Sequence, residues 1–224
     1  MKILAIECTH GFASVAVSNA GNVAEQSLAE WQKTAEALVP LVEQVMAEAG
    51  LQPDDLNGVA VSSGPGSFTA LRIGMSVAKG IAFGAGLPLA PVSTLAALAS
   101  SVLPHTDAQH IVPVIPSRAG ECFAAIFWRD GDELVEAERF RCDAAELPGR
   151  LASLGEEFAI AGRGVQALAE DVPELALCCI EASFFSALSL LPFARKALAK
   201  GGGESSTEAA PDYRQAFVPK QVRS

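Results

Sequence analysis

Short apolar runs separated by turn residues dominate the first part of the chain. Residues 2–6, 12–17 and 23–28 predict three strands of a β-meander, and a turn rich in asparagine and glycine at residues 19–22 separates the second strand from the third. Residues 58–63 form another apolar run of strand length. This pattern predicts a sheet that begins at the N-terminus.

Helical spacing replaces the strand pattern in two segments. Apolar residues recur every three or four positions over residues 31–49, and Gly50 is a typical helix stop. Pro40 inside this segment leaves two alternatives, a helix that begins near it or a helix that bends there. A second helix is predicted over residues 69–84. A further strand and a third helix are predicted in LAPVSTLAALASSVL, where Ser93 is a possible N-cap. The first part of the chain therefore combines a sheet with three helices.

The second half of the chain repeats a similar order. Strands are predicted at residues 111–115, 121–128, 133–140 and 156–162. A helix is predicted over residues 183–199, followed by a polar, glycine-rich and mobile linker at 201–208. This order predicts an α/β protein of two related lobes, residues 1–103 and 104–224. In one alternative the final helix and tail pack back on the first lobe.

Charge and composition restrict the function. Of the 224 residues half are hydrophobic, and 26 acidic against 16 basic residues give a net charge of −10. This balance is typical of a globular protein and offers no broad basic surface for nucleic acid. No apolar run has the length of a membrane span, and the N-terminus lacks the layout of a signal peptide. We expect a cytoplasmic protein without membrane association.

The metal-binding residue types are scattered. The five cysteines contain no C-x-x-C pair, and the three histidines show no H-x-x-x-H spacing. The sequence therefore predicts neither a disulfide framework nor a metal site.

The segment SSGPGSFTALRIG, residues 62–74, resembles a phosphate-binding loop between a strand and a helix. It matches neither the P-loop motif G-x-x-x-x-G-K-[ST] nor the dinucleotide-binding motif G-x-G-x-x-G. Pro65 also removes one backbone N–H that could bind a phosphate oxygen. The N-terminus of the following helix is still suited to an anion. Two alternatives remain, a structural turn and a vestigial nucleotide or anion site. The residues that would form that site are Glu7, Thr9, Gly64, Gly66 and Ser67.

Small residues recur at every fourth position of the second helix, beginning at Gly66 and including Gly74 and Ala78. Glycine costs a helix about 1 kcal/mol relative to alanine, so close packing has to compensate for it. The helix is therefore either buried between a sheet and its neighbour or part of a partner interface. We expect Gly74→Leu or Ala78→Arg to break such an interface with little loss of fold.

Four stretches together resemble one family. They are MKILAIECTHGFASVAV, the segment SSGPGSFTALRIGMSVAKGIAFG with LPLAPVSTLAALA after it, PSRAGECFAAIF, and APDYRQAFVP. They are similar to the opening, the GPGSFT…RIG signature, the D-A-R-x-G-E-V-Y segment and the P-x-Y-L-R ending of the TsaB (YeaZ) family. The resemblance spans nearly the whole chain.

This resemblance implies a two-lobed fold of the actin/Hsp70/sugar-kinase (ASKHA) type, with a mixed sheet flanked by helices in each lobe. It implies no catalysis by this chain alone. Such proteins are scaffolds and activators that pair with TsaD, which transfers the threonylcarbamoyl group to adenosine beside the anticodon of tRNAs that read ANN codons. The ATPase TsaE and the threonylcarbamoyl-AMP synthase complete the system. ATP and a metal are expected in the partner complex, with no cofactor on this chain.

The resemblance also implies that the first-lobe helices form the surface that binds TsaD and that mediates a self-dimer. It further implies that the chain contacts tRNA only as part of the complex. The residues expected at that surface are Trp31, Leu38, Val42, Val45, Ala70, Ile73, Gly74, Val77, Ala78 and Ile81. The chain departs from the family at three positions: Glu7 replaces a strand-end aspartate, Pro116 replaces the aspartate of D-A-R, and Lys33 replaces a histidine. These changes weaken an independent nucleotide site.

Two other functions remain as alternatives. The first is an autonomous ATP-dependent kinase-like enzyme of the same fold. The second is a peptidase, although the chain has no G-x-S-x-G motif and no metal-ligand set.

Overall fold

The computed structural model describes residues 1–9, 11–117, 120–131, 133–155, 157–183, 185–199, 201, 203–205 and 207–212. Two five-stranded mixed sheets lie within these residues, each covered by helices. No helix in this part of the chain is both long and apolar enough to cross a bilayer.

The first lobe is built on a sheet with the strand order β3-β2-β1-β4-β5. Its elements are β1 (Ile3–Glu7), β2 (Ala13–Asn19), β3 (Asn22–Leu28), α1 (Thr34–Glu48), β4 (Gly58–Gly64), α2 (Phe68–Gly84), β5 (Leu89–Ser93) and α3 (Thr94–Val102). Strands β1, β2 and β3 form the antiparallel meander, whereas β4 and β5 join β1 in parallel.

The second lobe has the same topology. Its elements are β6 (His110–Pro116), β7 (Glu121–Asp130), β8 (Glu133–Asp143), α4 (Leu147–Leu151), β9 (Phe158–Gly162), α5 (Val165–Asp171), β10 (Cys179–Glu181) and α6 (Leu191–Ala199). The strand order β10-β9-β6-β7-β8 places an antiparallel meander beside two parallel strands, as in the first lobe. The prediction of two related α/β lobes is confirmed.

The core consists of three layers because the inner strands of each sheet, such as β1 and β4, bury both faces. Along β1, Ile3 and Ala5 face the layer between the sheets, where α3 and α6 lie. Leu4 and Ile6 face the opposite side of the sheet, which α1 and α2 cover. A third layer lies between the second sheet and helices α4 and α5. The sequence period of two along the strands thus fixes which helices each side chain meets.

The chain returns to the first lobe after the second. Helix α6 packs against β1, β4 and β5. Beyond it, a segment that we call the strap, residues 203–205 and 207–212, runs along the first sheet. The Glu204 backbone exchanges two hydrogen bonds with that of Leu89, and Lys79 Nζ donates to the carbonyl oxygen of Ala209 at 2.9 Å. The prediction of a mobile linker over residues 201–208 is wrong at Glu204, because backbone pairing holds that residue.

Other elements differ from the sequence prediction in their length. Pro40 lies inside α1, which runs through it without a break in the helix. The helix predicted over residues 183–199 begins only at Leu191. Elements α4, α5 and β10 were not predicted, because elements of five, seven and three residues are too short to establish a period. The lobe boundary at residue 103 stays a prediction.

Candidate functional site

A cleft separates the lobes where the strands end. The carboxyl ends of β1 and β4 face the turn after β6 and the turn after β9 across a cavity of about 510 Å³. The residues that line it are Thr9, Gly66, Ser67, Phe68, Thr69, Ile115, Pro116, Ser117, Phe123 and Arg163. In open α/β sheets ligands bind beyond the carboxyl ends of the strands, so this is the candidate ligand site of the fold.

The loop between β4 and α2 borders this cavity. Ser67 N donates a hydrogen bond to the Thr9 carbonyl oxygen at 3.3 Å, and its Oγ accepts one from Ala70 N at 3.5 Å as the N-cap of α2. A Cβ added at Gly66 would lie 2.6 Å from Thr9 Cβ, a distance at which one of the two must move. Glycine is therefore required at position 66 for the loop to approach the end of β1.

Glu7 ends β1 and is completely buried. Thr9 N donates to its Oε1 at 2.6 Å, Thr9 Oγ1 donates to the same oxygen, and Ser62 Oγ donates to Oε2. Burial raises the pKa of this carboxyl above its ordinary value of 4.5, against the lowering effect of those hydrogen bonds and of Arg163. The carboxyl group is engaged within the first lobe and does not line the cavity.

A magnesium-bound phosphate does not fit this arrangement. Mg²⁺ is held in phosphate sites by one or two carboxylates together with the phosphate oxygens. Glu7 is enclosed by its hydrogen bonds, Pro116 stands where the second lobe would supply an acid, and no Asp or Glu is among the described residues of the cavity. The described part of the chain contains no group of three or more His, Cys, Asp or Glu side chains that could hold a metal.

We expect Glu7→Gln to remove part of the pH dependence of stability. Because the folded pKa is raised, the contribution of Glu7 is fully present below its unfolded pKa and is lost as the pH rises through the folded pKa. The variant should therefore unfold about 2–4 °C higher than the natural chain at pH 8, with the difference vanishing near pH 4. Thermal unfolding followed by circular dichroism across this range measures the effect.

Glu48→Gln is the matched control, since Glu48 is exposed on α1 and its Oε2 accepts a hydrogen bond from Gln26. This substitution should leave the pH dependence of the unfolding temperature unchanged. A Glu7→Gln variant that is less stable than the natural chain at pH 8 would contradict a raised pKa of Glu7 in the folded chain.

The structure brings together three of the five residues predicted for the loop site. Thr9, Gly66 and Ser67 line the cavity, whereas Glu7 is enclosed and Gly64 faces the Asp212 carbonyl oxygen. Arg163, which lies in a Gly-Arg-Gly turn after β9, was not among the predicted site residues. Strand β9 is the counterpart of β4 in the second lobe, so comparison of the two repeats would have placed this turn opposite the first-lobe loop.

Cys8, next to Glu7, is not suited to nucleophilic chemistry. Burial, with the Glu7 charge adding to it, raises the pKa of this thiol to about 12. Its Sγ donates to the Ala70 carbonyl oxygen at 3.1 Å. Because the thiolate is the reactive form, Cys8 is a packing residue.

Helix α2 faces the sheet with its small residues. Gly74 and Ala78 are buried, and a Cβ added at Gly74 would lie 2.7 Å from Cys8 Sγ. The assignment of these two residues to a partner interface is therefore wrong for the folded chain. Their small size lets the helix approach β1 and β4.

The opposite side of α2, which we call the outer face, is open. It carries Ile73, Ser76, Val77, Gly80 and Gly84, which lie on one side of a helix with 3.6 residues per turn. Ser76, Gly80 and Gly84 are exposed, and Ile73 and Val77 are partly exposed. A Cβ at either glycine would meet nothing within 4 Å. The fold itself therefore gives no packing reason for these glycines.

The outer face has apolar edges. Ala70 and Ile81, both in the predicted interface, are half-buried on the side that packs against the first-lobe core. Phe83 on the other side is 76% exposed. Of the predicted α2 residues, Ala70, Ile73, Val77 and Ile81 are thus accessible to a partner.

Helix α1 places its predicted residues in the core. Leu38, Val42 and Val45 are buried against the first sheet and are a further correction to the predicted interface, because the apolar stripe of a helix faces its own core first. Trp31 precedes α1, and its side chain lies outside the described residues. The exposed side of α1 is acidic. Its carboxylates are Glu36, Glu43 and Glu48.

The fold and these sites define a class, the two-lobed proteins of the ASKHA type. Residues 29–172 match the family described as TsaD: tRNA N6-adenosine threonylcarbamoyltransferase. The chain is 32% identical over 220 residues to the tRNA threonylcarbamoyladenosine biosynthesis protein TsaB of Escherichia coli K12, covering 95% of this chain and 94% of that protein. The chain belongs to the TsaB family, also called YeaZ.

Two further comparisons agree with this membership. A crystal structure from Pseudomonas aeruginosa, described as an uncharacterized protein with similarity to peptidase YEAZ, has a TM-score of 0.85 and 25% identity and covers 96% of this chain and 99% of its own. The tRNA N6-adenosine threonylcarbamoyltransferase of Geobacter sp. strain M21 is 50% identical over 62 residues, which cover 28% of this chain and 18% of that enzyme. The chain is thus similar throughout to TsaB proteins and locally to the transferase.

Proposed function

We propose that this chain is the scaffold and activator of a TsaD-type threonylcarbamoyltransferase in the biosynthesis of threonylcarbamoyladenosine on tRNA. The observation that carries the proposal is the open outer face of α2. Each glycine there costs the helix about 1 kcal/mol relative to alanine, and nothing within this chain packs against Gly80 or Gly84. A partner helix that approaches the backbone closely would supply the compensating contacts.

The surroundings of the outer face specify the partner further. Ile73 and Val77 provide apolar contact at its centre, and Phe83 is a large exposed side chain at its edge. Exposed aromatic residues are frequent anchors of interfaces. Helix α1 packs against α2, and its exposed side is acidic, which favours a partner with basic residues at its rim. The same face provides the proposed self-dimer of the isolated chain, so dimerisation and TsaD binding exclude each other.

We further propose that the chain is not catalytic and binds no cofactor by itself. The enclosed carboxyl of Glu7 and the high pKa of the Cys8 thiol support this proposal. ATP and the metal belong to the complex with TsaD, TsaE and the threonylcarbamoyl-AMP synthase. The net charge of −10 favours tRNA contact through the partners, in the cytoplasm where we expect the chain to act.

Reconstitution tests the proposed function. We expect purified TsaD, TsaE and the synthase to form threonylcarbamoyladenosine on tRNA at least about tenfold faster when this chain is added, measured by mass spectrometry of digested tRNA. The chain alone should neither modify tRNA nor cleave casein. A rate that is independent of the chain would refute the activator role, and casein cleavage would favour a peptidase.

A further inference from the structure

The cavity between the lobes has an unusual chemical lining. Four hydroxyl-bearing residues and one arginine supply its polar groups: Thr9, Ser67, Thr69, Ser117 and Arg163. No acidic residue is among the described residues that line it. A cavity with donors, one cation and no carboxylate is suited to a negatively charged ligand.

Arg163 is held at the cavity by packing. Its guanidinium carbon lies 4.0 Å from the centroid of the Phe12 ring, so the cation of the second lobe stacks on the first lobe. The arginine as a whole is partly exposed, but its Nη1 is buried and has no hydrogen-bond partner among the described residues. A buried donor without a partner is rare in folded proteins. The partly exposed remainder of Arg163 presents a positive charge to the cavity.

The nearby acids are occupied elsewhere. Both carboxylate oxygens of Glu181 accept a hydrogen bond from Gly164 N, at 2.9 and 3.1 Å. Glu7 is held by Thr9 and Ser62. Arg163 forms no ion pair within the described part of the chain, although the nearby charges of Glu181 and Glu7 partly offset its positive charge. The guanidinium is therefore not closed off from a ligand anion by a direct carboxylate contact.

The first-lobe wall of the cavity adds donors, and both lobes contribute apolar surface. Thr69 lies in the first turn of α2, a helix of 17 residues whose N-terminal N–H groups favour anions. Phe68, Ile115 and Phe123 form the apolar part of the lining. The volume of about 510 Å³ is larger than a bare inorganic ion needs and lies within the range of small-molecule sites.

We propose that this cavity binds a small organic phosphomonoester without a divalent metal. The phosphate oxygens are bound by Arg163 and by the hydroxyl groups of Ser67, Thr69 and Ser117, and the organic part packs against the three apolar residues of the lining. The site thus differs from a magnesium-dependent phosphate site, for which the carboxylates are not available. This proposal does not depend on the proposed function, because the cavity lies between the lobes and the outer face of α2 is not part of it.

Titration of the full chain with phenyl phosphate in the presence of EDTA tests the proposal. We expect binding by isothermal calorimetry, with amide shifts of Thr9, Ser67 and Thr69 in ¹⁵N spectra. Inorganic phosphate should shift the same amides more weakly, and addition of Mg²⁺ should not strengthen binding. Absence of phenyl phosphate binding up to about 10 mM would overturn the proposal, since affinities weaker than that carry under about 3 kcal/mol.

Substitutions locate the site. Arg163→Gln should weaken phenyl phosphate binding at least about tenfold, whereas Arg163→Lys, which keeps the charge, should retain part of it. Arg150→Gln is the matched control, because Arg150 also stacks on an aromatic ring, 4.7 Å from the Phe140 centroid, without lining the cavity. Unchanged binding by Arg163→Gln, or binding that requires Mg²⁺, would refute the proposal. If Arg163→Gln fails to fold, Thr69→Val replaces it, because this variant removes a hydroxyl group from the cavity and should also weaken phenyl phosphate binding.

Discussion

Gly80→Arg should abolish pairing with TsaD while leaving the fold intact. Residue 80 is exposed in the middle of the outer face, and a side chain there meets nothing in this chain. Replacing a helical glycine should even stabilise the isolated chain by up to about 1 kcal/mol. In the complex the new side chain would hold the partner helix away, so we expect at least roughly 100-fold weaker binding, the effect of losing about 2–3 kcal/mol.

Binding of the variant to TsaD can be measured by calorimetry, and its oligomeric state by light scattering. If the self-dimer uses the same face, the variant should also be monomeric. Gly149→Arg is the matched control, since Gly149 is an exposed helical glycine of the second lobe with nothing within 4 Å of an added Cβ. Normal TsaD binding by Gly80→Arg would show that the interface lies elsewhere on the chain. This conclusion would hold whether or not the chain activates TsaD in the reconstituted system.

Ala78→Arg should have the opposite effect and prevent folding. Ala78 is completely buried against the first sheet, with Ala82 one turn further along the same side of α2. An unpaired charge at this position costs several kcal/mol, a large part of the roughly 5–15 kcal/mol that stabilises a typical domain. Expression in the soluble fraction and chemical unfolding of any folded fraction measure the result. This corrects the expectation that Ala78→Arg would break an interface with little loss of fold.

Ser76→Arg is the control for this prediction, because it introduces the same side chain two residues away on the exposed side of α2. It should fold normally and fail to bind TsaD. Gly74→Leu should behave like Ala78→Arg, since a Cβ at Gly74 already approaches Cys8 Sγ to 2.7 Å. A folded, stable Ala78→Arg variant would show that α2 can rotate away from its packing in the first lobe.

The sequence predicted which segments form strands and helices better than it predicted which sides of these elements are buried. Short continuous apolar runs located β1, β2 and β4, because a strand with two buried faces is apolar on both of them. Helical periodicity located α1 and α2 but could not distinguish the side of α2 that meets the sheet from the side that meets solvent. Both sides carry glycine and other small residues, and only the packing of Gly74 against Cys8 separates them.

The cleft was predictable only in its first-lobe half. The segment around Gly66 is a recognisable turn between a strand and a helix, so its position at the end of β4 followed from local pattern. Arg163 is separated from Phe12 by about 150 residues, and the contact between them arises from how the lobes pack. Interactions over such sequence distances depend on tertiary structure, which periodicity does not describe.

The strap has a consequence for how the chain behaves in solution. Strand β5 is the last strand of the first sheet, and the exposed edge of a sheet is a template for strands of other molecules. At Leu89 the strap occupies this edge, with Glu204 and Leu89 exchanging backbone hydrogen bonds of 2.8 and 3.0 Å. A chain ending at residue 199 would keep both sheets and the outer face of α2, yet it would leave this edge open to strand addition by its neighbours.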